Sequence, residues 1–67
     1  MLKIEIEQEE DGRWIAEVPD LPGVVVYGQT EAEVRIKATA LALHVIADRI
    51  ENGEPVPFEL GDLFVAA

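Results

Sequence analysis

Pro19-Asp20-Leu21-Pro22-Gly23, then Val24-Val25-Val26-Tyr27, then Gly28-Gln29-Thr30-Glu31-Ala32-Glu33: read in order, this run carries the chain from a rigid bend through a strand into a helix. The two prolines fix φ and remove N–H donors, and Gly23 permits a tight bend, so the first piece is a loop. The β-branched run that follows favours an extended strand, closed by Gly28. Thr30 three residues before Glu33 is a capping box, the signature of a helix start.

Upstream, Leu2, Ile4 and Ile6 alternate with Lys3, Glu5 and Glu7, the period of a strand with one wet face. Gln8 to Gly12 reads as a polar turn. Trp14, Ala16 and Val18 alternate with Arg13, Ile15 and Glu17, so a second strand pairs antiparallel with the first through Asp11-Gly12, and Pro19 ends it. The alternation places Trp14 in the core with Ala16 and Val18.

Downstream, the helix runs from Glu31 to about Asn52, where Gly53 stops it and Pro55 prevents its return. Glu31 with Arg35 and Glu33 with Lys37 stand in the acid-first i,i+4 order that supports a helix. The tail, Pro57-Phe58-Glu59-Leu60 and then Leu63-Phe64-Val65, supplies a fourth strand broken at Gly61-Asp62. The expected fold is therefore a single α+β domain over residues 1–67, a two-layer βββαβ arrangement with one long helix on one face of the sheet.

Helical spacing reveals two apolar stripes. Val34, Ala38, Leu41 and Val45 share one face; Ile36, Ala40, Leu43, Ala47 and Ile50 lie on roughly the opposite one. One sheet covers only one of them. The second stripe is read as an oligomer interface, since an apolar patch left outside a monomer core usually signals association. The competing reading is that the tail folds over it.

Composition narrows the function classes. With 67 residues the chain has one small core, in a size range where a second chain often supplies stability. The 14 acidic residues against 5 basic ones give a net charge of −9, with Lys3, Arg13, Arg35, Lys37 and Arg49 scattered. Direct nucleic-acid binding is not expected, because phosphate recognition depends on clustered Lys and Arg. A basic protein partner fits, and so does simple solubility. The hairpin acids Glu7, Glu9, Glu10 and Asp11 are the candidate partner contact, set against the plain role of a charged hairpin tip. Cysteine is absent, and no stretch has the length or apolarity of a signal peptide or membrane span, so a cytoplasmic protein is expected.

Catalysis finds little footing. The chain lacks serine and cysteine, and Thr30 is engaged as a cap. Its single histidine, His44, reads as a rim residue bonding Asp48 or water rather than a metal ligand. Glu5, Glu7, Asp20 and Asp48 show no spacing that makes them converge on a metal. Trp14 and Tyr27 are too few for a base-stacking platform. No catalytic residue, metal site or cofactor is expected.

Pro19, Asp20, Pro22 and Gly23, then Gly28, Thr30 and Glu33, a long helix, and Gly53-Glu54-Pro55-Val56-Pro57 together resemble the HicB-like antitoxin family over most of the chain. The resemblance implies a partial ribonuclease-H-like fold, in which three antiparallel strands are followed by a crossover helix and a fourth strand returning parallel to the first. It also implies a non-catalytic antitoxin that neutralises a small basic HicA-type toxin, itself an mRNA-cleaving protein. Many relatives carry a further DNA-binding module; with only Gly61 to Ala67 beyond the expected tail strand, that role is not carried over. Val24 stands where the family often has cysteine. Ile36, Leu43 and Ala47 occupy outer helix positions that are often charged in similar proteins, which favours a homo-oligomer, dimeric or higher. The alternative to the antitoxin is a stand-alone structural or interaction protein that assembles only with itself; a residual metal-dependent nuclease is the third reading.

Overall fold

The computed structural model describes residues 2–66. Three strands form an antiparallel sheet in the order β1-β2-β3, with β1 at Glu5–Gln8, β2 at Trp14–Glu17 and β3 at Val25–Gly28. A 21-residue helix, α1, spans Glu31–Glu51 and packs on one face of the sheet. The architecture is α+β in two layers.

The register follows from the alternation. Ile6, Ala16 and Val26 lie in one cross-strand row, and Glu7, Ile15 and Tyr27 in the next. Since neighbouring residues of a strand point to opposite faces, the first row meets the helix and the second faces away from it. The turn between β1 and β2 is closed by Gly12 N–H donating to Glu9 O at 3.0 Å and Glu9 N–H to Arg13 O at 2.7 Å.

Strand β1 is shorter than the alternation predicts. It starts at Glu5 because β2, its only sheet neighbour among the described residues, ends at Glu17, and the chain turns away at Val18-Pro19. Leu2 and Ile4 remain half-buried against the core without joining the ladder.

The Pro/Gly loop is held from inside. Leu21 and Val24 are both 0% exposed, while Pro19, Asp20, Pro22 and Gly23 face solvent. Val18 N–H donates to Val24 O, Leu21 N–H to Val18 O, and Val24 N–H to Leu21 O, each at 3.0 Å. The loop is thus a tied knuckle whose two apolar side chains plug one end of the sheet–helix interface. Gly23 sits at φ +94°, a conformation open mainly to glycine.

Both ends of α1 are built as the sequence signals. Thr30 Oγ1 accepts from Glu33 N–H at 3.0 Å. The returning carboxylate of Glu33 accepts from Gln29 N–H at 2.9 Å, one residue before the cap. At the other end Gly53 adopts φ +70°, its N–H donates to Ile50 O, and Glu54 N–H donates to Arg49 O at 2.8 Å. This reciprocal pair is a Schellman stop, which satisfies carbonyls that the last turn leaves without partners.

The core forms two adjoining groups. Val18, Leu21, Val24 and Ala42 make one, and Ala16, Val34 and Ala38 the other; Ile4 packs against both. Trp14 is half-buried beside the second group, in keeping with its predicted place.

The fourth strand does not form among the described residues. Residues Leu60–Asp62 instead make a short 3₁₀ turn, with Asp62 N–H donating to Glu59 O and Leu63 N–H to Leu60 O. Pro55 and Pro57 remove the donors a ladder would need at the approach, and Gly61-Asp62 favours a turn over an extended segment. No described tail residue pairs with β1, so the returning parallel strand that completes a partial ribonuclease-H-like sheet is missing, and β1 remains an open edge.

Candidate functional site

Of the two helical stripes, the first meets the sheet and the second meets solvent. Val34 and Ala38 are fully buried, and Leu41 and Val45 are half-buried. Ile36, Leu43 and Ile50 are 70%, 62% and 39% exposed, and Ala40 and Ala47 are exposed between them. The structure therefore brings all five predicted interface residues onto one uncovered face.

The tail lies beside this face without closing it. A groove of about 600 Å³ runs between the helix and the tail, lined by Leu2, Leu43, Ile46, Phe58, Leu63 and Phe64, with Asp62 at its rim. A second depression, lined by Ile36, Ala40, Leu43, Arg35 and Thr39, continues the apolar surface toward the start of the helix. Leu43 belongs to both. Phe64 and Val65 stand 84% and 96% exposed at the end of the tail. Sequence reading assigned these tail residues to a strand and so missed their exposure; the paired prolines before them were the available signal.

The four hairpin acids do not act as one patch. Asp11 is committed to the turn: its Oδ1 accepts from Arg13 N–H at 3.1 Å and its Oδ2 from Arg13 Nε at 2.8 Å. These bonds hold the Asp11 carboxyl below its ordinary pKa, the backbone bond from Arg13 contributing most. The Arg13 guanidinium also stacks 4.9 Å from the centre of the Tyr27 ring. Glu7 stands apart on the bare sheet face, in the row of Ile15 and Tyr27. Glu9 and Glu10 have no ion-pair partner among the described residues and are exposed at the tip.

On the bare face of the sheet, sequence reading gave the wet side of β1 but not the exposed apolar residues of β3. Val25 and Tyr27 are 41% and 45% exposed there, beside the carboxylates of Glu5, Glu7 and Glu17. Glu5 and Glu17 are direct cross-strand partners. Strand alternation carried the signal, because a single helix covers one side of a sheet only.

The motif residues serve architecture. Gly28 lets the sheet approach the helix start, Thr30 and Glu33 cap it, and Lys37 ties Glu33 at 2.9 Å and the Tyr27 carbonyl at 3.2 Å. The Gln29 N–H, followed by Lys37, holds the Glu33 carboxyl below its ordinary pKa. His44 is exposed on the helix and makes no hydrogen bond to Asp48, whose oxygens instead accept from Asn52 Nδ2 at 2.8 and 3.2 Å. Among the described residues, no group of three or more His, Asp or Glu side chains is placed to hold a metal ion, and no helix is long and apolar enough to cross a membrane.

Comparison with protein-family models, curated proteins and solved structures found no match. The likeness to HicB-like antitoxins accordingly rests on the motif residues themselves.

Proposed function

We propose that this chain is a non-catalytic binding module of the HicB-like antitoxin kind, acting in the cytoplasm, which self-associates through α1 and sequesters a small basic HicA-type toxin. The observation that carries the reading is the pairing of an uncovered apolar helix face with a net charge of −9. An apolar face supplies the area for a stable contact, and a strongly acidic surface speeds encounter with a basic partner and selects it. The unpaired Glu9 and Glu10 at the hairpin tip are the steering charges, whereas Asp11 maintains the turn. The knuckle, cap and tight Gly28 approach fix α1 against the sheet.

The test is co-expression and co-purification with a small basic HicA-type toxin, taken from the adjacent reading frame if one encodes such a protein, followed by a messenger-RNA cleavage assay. A stoichiometric complex with suppressed cleavage is expected. Glu9→Lys combined with Glu10→Lys should slow association and flatten its salt dependence, with the fold unchanged. A toxin that cleaves equally well with this chain in excess overturns the reading.

A second reading, an interaction protein that assembles only with itself, is favoured by one specific feature: the apolar stripe on α1 is large relative to the domain. A stable homo-oligomer that forms no complex with a HicA-type toxin would decide for it.

A further inference from the structure

The outer stripe of α1 has a period of its own. Ile36, Ala40, Leu43, Ala47 and Ile50 follow at intervals of four, three, four and three residues. That is the heptad seam along which two helices pack, narrower than the broad stripe by which a helix lies on a sheet. Large and small side chains alternate strictly along it. The chain's own tail, although Leu63 and Phe64 border the same groove as Leu43, leaves Leu43 62% and Ile36 70% exposed.

The molecule exposes more surface than a compact chain of its mass. Its accessible surface is 5108 Å², against roughly 4,200 Å² for a compact monomer of 7.4 kDa. The excess of roughly 900 Å² is close to the ~800 Å² that each partner contributes to a standard interface. The radius of gyration, 13.7 Å where a compact chain of 67 residues has about 11 Å, goes with an elongated outline of 45 × 24 × 14 Å.

We propose that this face is the seam for a second copy of the chain, with the two α1 helices antiparallel about a two-fold axis, offset so that Leu43 and one of the two flanking isoleucines each sit against an alanine of the partner: Ile36 on Ala47 with Leu43 on Ala40, or, one heptad along, Ile50 on Ala40 with Leu43 on Ala47. The proposal rests on the self-association half of the reading above and is independent of toxin binding. Volume decides the direction. A parallel pair in register would set alanine on alanine and isoleucine on isoleucine, alternating voids with crowded layers. The antiparallel pair in either of these registers sets large on small at every layer the two seams share and keeps the spacing even. It also aligns the helix dipoles favourably and makes the contact isologous, as a two-fold requires.

The absence of native cysteine makes site-directed disulfide trapping clean. Single variants Ile36→Cys, Ala40→Cys, Ala47→Cys and Ile50→Cys are mixed in pairs and oxidised. Covalent dimers are expected from Ile36→Cys with Ala47→Cys or from Ile50→Cys with Ala40→Cys, and none from Ile36→Cys alone. Sedimentation equilibrium should give the wild type about twice the mass of the 7.4 kDa chain, and Leu43→Asp the single mass with an unchanged helical circular dichroism signal. A monomeric wild type overturns the seam together with self-association. A dimer that survives Leu43→Asp, or self-cross-linking of Ile36→Cys, overturns the seam and leaves self-association standing.

Discussion

Gly28 and Val34 mark the closest approach of sheet and helix: a Cβ at position 28 would stand 2.9 Å from the Val34 Cγ1 and 3.0 Å from the Glu33 Cδ. Glu33 can swing away, but Val34 is fully buried and cannot. Gly28→Ala should therefore destabilise the domain by about 1–3 kcal/mol through overpacking. Urea denaturation measures it, with Gly61→Ala as the control. Nothing lies within 4 Å of a Cβ at Gly61, so that change should stay within about 0.5 kcal/mol.

Leu21 joins the Pro/Gly knuckle to the core. It is 0% exposed, and truncation leaves a cavity between Val18, Val24 and Ala42 that the tied loop cannot collapse into. Leu21→Ala is expected to cost about 2–5 kcal/mol, a large share of what so small a domain has. Thermal melting followed by circular dichroism would show a much lower midpoint, whereas substitution of the exposed Asp20 should leave it nearly unchanged.

Thr30 supplies one oxygen to the helix start. Thr30→Ala removes the acceptor for Glu33 N–H and should cost about 1 kcal/mol, while Thr30→Ser restores most of it. Loss of amide-exchange protection confined to the first turn of α1 is the accompanying sign.

Glu33 gives the fold an acid limit. Its folded pKa lies below the ordinary 4.5 because Gln29 N–H and Lys37 favour the charged form. The unfolded chain therefore takes up the proton first as pH falls. The stabilisation is complete above the unfolded value and is lost as pH drops through the folded one. Asp11 acts in the same direction below its ordinary 3.8. Denaturation midpoints should fall as pH is taken from 6 toward 3, and Glu33→Gln should show a shallower fall over that window. An identical slope in both proteins would remove Glu33 from the account.

The helix was legible because its signals are local: a cap, ion pairs four residues apart and a glycine stop all sit within a few positions of the atoms they serve. Alternation likewise gave the faces of β1 and β2 directly. Register at the edges was less legible. Val24, first of the valine run, reads as strand, yet it turns inward to the core because the knuckle's own bonds claim its N–H and carbonyl, and β3 begins at Val25. The tail was misread since alternating apolar residues describe a strand only when an edge accepts them, and Pro55 and Pro57 prevent the approach. For the candidate site, the outer helix stripe was visible from spacing alone. The separate roles of Asp11 and Glu9 were not, because whether a carboxylate is committed depends on where Arg13 points.

The facing carboxylates of Glu5 and Glu17, with Glu7 beside them, give the sheet's open side a guard. Two identical sheets laid together would bring matching negative rows into contact, at a cost that grows as water is squeezed out. The protein's two apolar flanks thereby differ in kind: like charge lines the strands, whereas the row of Ile36, Ala40, Leu43, Ala47 and Ile50 along the rod carries none.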